Sequence, residues 1–153
     1  RPREVKARIP AGVSDGQTIR LAGRGTPGRN GGPAGDLLVE ISVAPHQRFG
    51  RSGRNLTVTV PVTYPEVVLG GDIDVPTLDG ATVKLRLKPG TPSGSRHRVK
   101  GMGITTTTKR EGVKSGDLIV TVEVEVPTTL TDAQRSAIEQ LAAATTVDPR
   151  TSS

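Results

Sequence analysis

The stretch Val83-Lys84-Leu85-Arg86-Leu87-Lys88-Pro89-Gly90-Thr91-Pro92-Ser93-Gly94-Ser95-Arg96-His97-Arg98-Val99-Lys100-Gly101-Met102-Gly103 decides the fold, because most of its fixed points occur once before. Val5, Lys6, Arg8, Gly12, Gly16, Arg20, Gly23 and Gly25 return as Val83, Lys84, Arg86, Gly90, Gly94, Arg98, Gly101 and Gly103 at one constant offset of 78 residues. After loops of slightly different length, Gly35-Asp36-Leu37-Leu38-Val39 is answered by Gly116-Asp117-Leu118-Ile119-Val120 at an offset of 81. A repeat of this period describes two related units in tandem, and it is settled before any other feature because it fixes the architecture.

The composition fits that division. Only Phe49 and Tyr64 are aromatic among the 153 residues, so the interiors must be built from Val, Ile and Leu, which suit sheets. Apolar residues make up 33% of the chain, and the cores should therefore be thin. With no cysteine there is neither a disulfide framework nor a thiolate metal site. No apolar run is long enough to cross a bilayer and no secretory signal opens the chain, so the expectation is a cytoplasmic protein without membrane contact. The chain opens on Arg1 rather than Met, and a longer parent is expected. The net charge of +6 permits attraction to polyanions. The basic residues are scattered, however, and the stacking aromatics that single-stranded binders use are nearly missing, which argues against a nucleic-acid partner.

Residues 4–9 alternate apolar and charged side chains and predict a strand that forms a hairpin with the alternating Thr18 to Leu21. Gly23 to Gly35 reads as an exposed loop, and Leu37 to Val43 as a strand with Leu37, Val39, Ile41 and Val43 on one face. Residues 44–53 carry Pro, Gly and one aromatic and read as the junction between units. Beyond it, short strands of antiparallel character are expected at 56–60, 73–75, 81–87 and 95–99. They come with a short helical turn stopped by Gly70-Gly71 and a hairpin turn at Leu78-Asp79-Gly80. Gly101 to Gly116 repeats the exposed loop, and Asp117 to Val126 is a long strand. Thr131-Asp132-Ala133-Gln134 matches a helix-starting box, with a helix from about Asp132 to Ala144. The fold class expected is thus mainly β, two tandem β-sandwich-like domains, the first incomplete, followed by a short C-terminal helix. Its parts are 1–50, 51–127, the helix region 128–145, and a disordered tail at 146–153.

Catalytic chemistry is not evident. His46 and His97 stand in non-equivalent places without metal-ligand spacing. Gly23-Arg24-Gly25 and Gly101-Met102-Gly103 lack a full phosphate-binding fingerprint. Asp36 and Asp117 each follow a glycine and precede a strand, where a carboxylate can satisfy backbone N–H groups of the turn. No serine or threonine has a nucleophile motif with base and acid partners. The expectation is a protein that is not an enzyme and needs no cofactor or metal. An apolar sheet face around Leu37 and Val39 could be plain core, or it could accept an extended peptide by strand addition.

Ile9-Pro10-Ala11-Gly12-Val13-Ser14-Asp15-Gly16-Gln17, Leu21-Ala22-Gly23-Arg24-Gly25, Gly35-Asp36-Leu37, Pro45-His46 through Phe49, Val75-Pro76-Thr77-Leu78-Asp79-Gly80 and Gly116-Asp117-Leu118 together resemble the C-terminal substrate-binding region of DnaJ-type co-chaperones, in order and over nearly the whole chain. The resemblance implies two stacked β-sandwich-like domains, binding of unfolded or extended client polypeptides for delivery to a DnaK-type ATPase by the intact protein, and homodimers formed through the C-terminal helix. It carries Leu37 and Val39 onto the wall of a client pocket, with Ile19 and Leu21 beside them, and Leu130, Ile138 and Leu141 onto the dimerising helix. The family's J domain, with its His-Pro-Asp loop, and its zinc-binding cysteine module are not in this sequence. The fragment alone is therefore not expected to stimulate a DnaK partner, and early strands of the first domain are expected ahead of Arg1. The rival readings are a basic nucleic-acid-binding β module and a purely structural tandem-β spacer.

Overall fold

The structure, a computed structural model, describes residues 4–28, 31–44, 46 and 48–151; Pro45 and Gln47 of the expected junction, two residues of the first exposed loop and the last two of the tail lie outside the described residues. It is mainly β. The first unit contributes β1 (Thr18–Leu21) and β2 (Leu37–Glu40). There follow β3 (Phe49–Ser52), β4 (Asn55–Val62), α1 (Tyr64–Leu69), β5 (Gly71–Pro76), β6 (Thr82–Leu87), β7 (Arg96–Val99), β8 (Thr105–Thr108), β9 (Gly112–Ser115), β10 (Leu118–Val124) and the C-terminal helix α2 (Asp132–Ala144).

The principal core is built on β4 and β10. In β4 apolar residues alternate with threonine, and Leu56, Val58, Val60 and Val62 are all buried. β10 lies beside it in register, Leu118 opposite Leu56 and Val120 opposite Val58. The period of two then puts both rows on one face. Leu118, Val120 and Val122 are fully buried there, each contributing roughly 1.5–3 kcal/mol through its burial. The four-stranded sheet runs β3-β4-β10-β7, and its inner face is covered by Ile73 and Val75 of β5, Leu87 of β6 and Val67 of α1. The β4–β10 pair is parallel, although the strands between residues 56 and 99 were expected to be antiparallel in character. The reason is connection length: a helix and five strands separate β4 from β10, enough chain to return and start again in the same direction.

Local chemistry explains the smaller elements. Thr63 caps α1 by accepting the Glu66 N–H at 3.3 Å, while the Glu66 carboxylate accepts the Thr63 N–H at 2.8 Å, and Gly70, at φ 78°, ends the helix as expected. The β5–β6 turn is organised by Asp79, whose carboxylate accepts from the Thr77 hydroxyl and from the Ala81 N–H, and these bonds hold its pKa below the ordinary carboxylate value. On the outer face of the same hairpin Lys84 pairs with Asp74 at 2.8 Å and Arg86 with Asp72 at 3.5 Å. Both pairs are largely in solvent, so they fix register against mispairing more than they add stability. The capping box predicted at Thr131 is present in both directions, and α2 runs over the predicted span.

Three expectations are corrected. The segment 4–9 forms no strand and pairs with none among the described residues; β1 instead takes β2 as its antiparallel partner. A strand needs its ladder satisfied, and alternation alone does not supply a neighbour. The region 101–116, expected to be an exposed loop, holds the β8–β9 hairpin, with Thr105 opposite Ser115 and their hydroxyls 2.9 Å apart. Four successive β-branched threonines favour extended backbone even without burial. Finally, residues 49–52 of the expected junction form β3, an edge strand of the second unit's sheet, so the division expected at residue 50 falls inside a strand.

The repeat is visible bond by bond. The Gly16 N–H donates to the Ile41 carbonyl at 2.7 Å and the Gly94 N–H to that of Val122 at 2.7 Å. Gly25 donates to Gly35 at 2.7 Å, and Gly103 to Gly116 at 3.0 Å. The copies part at one contact. A Cβ on Gly116 would drive into the Arg54 carbonyl, which already accepts the Ile104 N–H at 2.8 Å, whereas a Cβ on Gly35 would meet nothing within 4 Å. Gly116→Ala is therefore expected to lower stability by about 1–3 kcal/mol in denaturant unfolding, with Gly35→Ala close to the parent. Equal midpoints for the two variants would contradict this packing.

Candidate functional site

Each unit carries the same corner. In the first, Asp36 accepts the Gly23 N–H at 3.1 Å and pairs with Arg20 at 3.2 Å; in the second, Asp117 accepts the Gly101 N–H at 2.9 Å and pairs with Arg98 at 2.8 Å. The duplicated carboxylates thus close turns at the start of β2 and β10, the structural role their position suggested. Each corner sets the register of the strand that follows it.

In the first unit that strand places the four pocket candidates together. β1 and β2 pair with Ile19 opposite Val39 and Leu21 opposite Leu37, so all four side chains share one face, and all four are half-buried. Leu38, on the opposite face, is 65% exposed. Their counterparts in the second unit are His97, Val99, Leu118 and Val120, and there Leu118 and Val120 are fully buried under the β5–β6 hairpin. By the offset of 78, residues 4–9 are the first unit's counterpart of β6, and Ile9 among them is 54% exposed. The copies differ on this face at Leu37 and Val39, half-buried where Leu118 and Val120 are fully buried, while His97 and Val99 are half-buried like Ile19 and Leu21.

The other candidates lie at the far end of the chain. No residue of α2 is buried; Ile138 is 46% and Leu141 48% exposed, and Leu130 is half-buried. These three, with Ala137, face Pro61, Val62, Tyr64 and Pro65 across a cleft of about 610 Å3. Residue patterning found the stripe on α2 but not the opposing wall, because the wall combines the end of β4 with the first turn of α1.

The histidines are engaged in local structure. His46 Nδ1 accepts the N–H groups of Arg48 and Phe49 at 3.0 and 3.3 Å, with its ring edge-on to Phe49, and His97 Nε2 lies 2.9 Å from the Ser95 hydroxyl. Among the described residues no three His, Cys, Asp or Glu side chains gather as metal ligands, and no helix is long and apolar enough to cross a membrane. Several basic residues spend their charge locally: Arg20, Arg54, Lys84, Arg86 and Arg98 each pair with an acid.

Tandem β units keyed by one repeated Arg–Asp–Gly corner, with a half-buried apolar face on the first copy and a capped helix at the end, define a duplicated β scaffold. The sequence profile described as "DnaJ C terminal domain" matches residues 1–127, and the chain belongs to that family. It is 53% identical over 139 residues to "Chaperone protein DnaJ 2" of Cutibacterium acnes, covering 91% of this chain and 36% of that protein. It is 55% identical over 149 residues to "Chaperone protein DnaJ 1" of Streptomyces coelicolor, covering 97% of this chain and 36% of that protein. "Chaperone protein DnaJ 1" of Mycobacterium tuberculosis is 52% identical over 144 residues, 94% of this chain and 35% of that protein. The chain thus spans little more than a third of the length of the curated relatives it matches, and it is a chaperone C-terminal region.

Proposed function

We propose that the open apolar face of Ile19, Leu21, Leu37 and Val39 holds extended, unfolded client polypeptide in the intact protein, which passes the client to a DnaK-type ATPase. One observation carries this reading: Ile19, Leu21, Leu37 and Val39 gather on one face of the β1–β2 pair and are only half-buried there. Hydrophobic surface left beside a short two-stranded sheet favours an extended apolar segment, bound by backbone hydrogen bonds to a sheet edge and by side chains in shallow pockets. Segments preceding this chain complete the wall of that pocket, as the family resemblance implies. The division expected at 1–50 and 51–127, moved to the start of β3 at Phe49, then separates a client-holding unit from one that spaces and orients it. The helix region 128–145, through Leu130, Ile138 and Leu141, joins two copies. The protein works in the cytoplasm, by a non-enzymatic action that needs no cofactor of its own.

The reading as a basic nucleic-acid module has less support, because the basic residues are scattered and the chain has one Phe, one Tyr and no Trp with which to stack bases. The test is binding of a fluorescent apolar peptide by the intact protein, alongside suppression of aggregation of a heat-unfolded client. Saturable binding and suppression are expected. A protein that does neither is a spacer, and salt-sensitive nucleic-acid binding that displaces the peptide supports the basic module instead.

A further inference from the structure

We propose that Arg51 is a positioning residue that clamps the first unit onto the second and so fixes the direction in which the open face points. Arg51 lies on β3, the edge strand of the second unit, and reaches back almost forty residues in sequence. Its Nη1 donates to the Val13 carbonyl at 2.8 Å, and its Nη2 to the Gly12 carbonyl at 2.6 Å and the Ser14 hydroxyl at 3.3 Å. Its Nε donates to the Gly53 carbonyl at 2.8 Å, which anchors the guanidinium to its own hairpin. A planar fork with five donors can hold carbonyls from two segments at once; the single ammonium of lysine cannot reproduce that geometry.

A second contact engages the same loop independently. Gly12, at φ +80°, lies so close to the base of β8 that a Cβ there would stand 2.6 Å from the Thr105 carbonyl and 2.7 Å from the Thr106 methyl. Its repeat counterpart, Gly90, would meet nothing within 4 Å. The loop is thus the same turn in both copies but docks differently: the first copy's version presses on β8, and the second's donates from the Gly90 and Thr91 N–H groups to the Val68 and Val67 carbonyls of α1. Arg51 has no carboxylate among these partners, so the clamp does not depend on an ion pair and should be insensitive to salt. The linker between the units, with its proline and exposed residues, would otherwise leave their angle loosely set. The clamp deepens the client-holding reading and rests on that reading for its purpose, though not for its existence.

The test measures the angle directly. The chain contains no cysteine, so Glu40→Cys on β2 and Glu123→Cys on β10 give two unique spin-label sites. Pulsed dipolar spectroscopy on the doubly labelled chain, diluted into an excess of unlabelled chain so that distances within one copy dominate, is expected to show one narrow distance distribution, the same at low and high salt. Arg51→Ala and Arg51→Lys are each expected to at least double its width, with the thermal midpoint of the second unit within a few degrees of the parent. An unchanged width in both variants, or restoration by lysine, overturns the clamp. Should Arg51→Ala fail to fold, Gly12→Ala decides the matter: its Cβ must displace the loop from β8 and broaden the distribution, and an unbroadened one overturns the proposal. Peptide binding is scored separately. Broadening in a protein that binds no peptide leaves the clamp standing and removes only its proposed purpose, and peptide binding with unbroadened variants removes the clamp alone.

Discussion

Leu37→Asp combined with Val39→Asp in the intact protein is expected to weaken binding of an apolar peptide at least tenfold. The two side chains lie on one face of β2, two residues apart, across from Leu21 and Ile19. Both are half-buried, so each carboxylate would sit beside aliphatic groups with part of its hydration removed. A bound apolar side chain would strip away more of that hydration. A loss of about 1.4 kcal/mol is already tenfold in affinity, and burying two unpaired charges exceeds it. Leu38→Asp is the internal control, because Leu38 points to the opposite, solvent-facing side of the same strand. It should stay within about twofold of the parent. Equal weakening by the control and the double variant would place the peptide elsewhere, and no weakening by the double variant would remove the pocket assignment.

Removal of the chain from Leu130 onward is expected to halve the sedimentation mass of the intact protein. α2 has 13 residues and no buried side chain, so it contributes nothing to the β4–β10 core. A helix this short is marginal in water on its own and needs its apolar face covered to be maintained. Ile138 and Leu141 remain about half exposed beside Tyr64 and Pro65, a surface suited to a second copy with the same stripe. Ile138→Asp with Leu141→Asp should have the same effect without shortening the chain. In both variants, denaturant unfolding of the second unit should persist at the concentrations used, because Leu118, Val120 and Val122 are untouched. An unchanged mass in either would exclude this helix as the joint.

What the sequence made legible was periodic or duplicated. Leu118, Val120 and Val122 alternate along a strand whose copy is Leu37, Val39 and Ile41, and the repeat alone was enough to mark them as equivalent. Thr131 and Gln134 announced α2 because a capping box is a local device, satisfied within three residues. Asp36 and Asp117 were legible for the same reason: each binds the turn whose glycine accompanies it in both copies. The parallel pairing of β4 with β10 was not legible, since strand direction depends on where the intervening chain travels. Residues 4–9 misled because alternation states which face would be buried without stating what would pair. Arg51 escaped notice because it is a lone exposed arginine with ordinary neighbours in sequence; only folding brings the Gly12 and Val13 carbonyls to it. The apolar face was visible as a pattern in Leu37 and Val39, but its grouping with Ile19 and Leu21 required the register of β1 against β2.

The pairing of β4 with β10 also dictates when the second unit can exist during synthesis. Asn55 and Asp117, joined at 2.9 Å, are 62 residues apart, and the whole central sheet is stitched across that interval. Loop closure of this length must precede the contacts that reward it, so assembly of the sheet is slow beside the local hairpin β5–β6. On a ribosome, β4 emerges with its row of Leu56, Val58, Val60 and Val62 and must wait, edge unpaired, until β10 follows. A chaperone segment built this way passes through its own interval as an unfinished polypeptide, with the kind of exposed aliphatic strand that its first unit is proposed to hold.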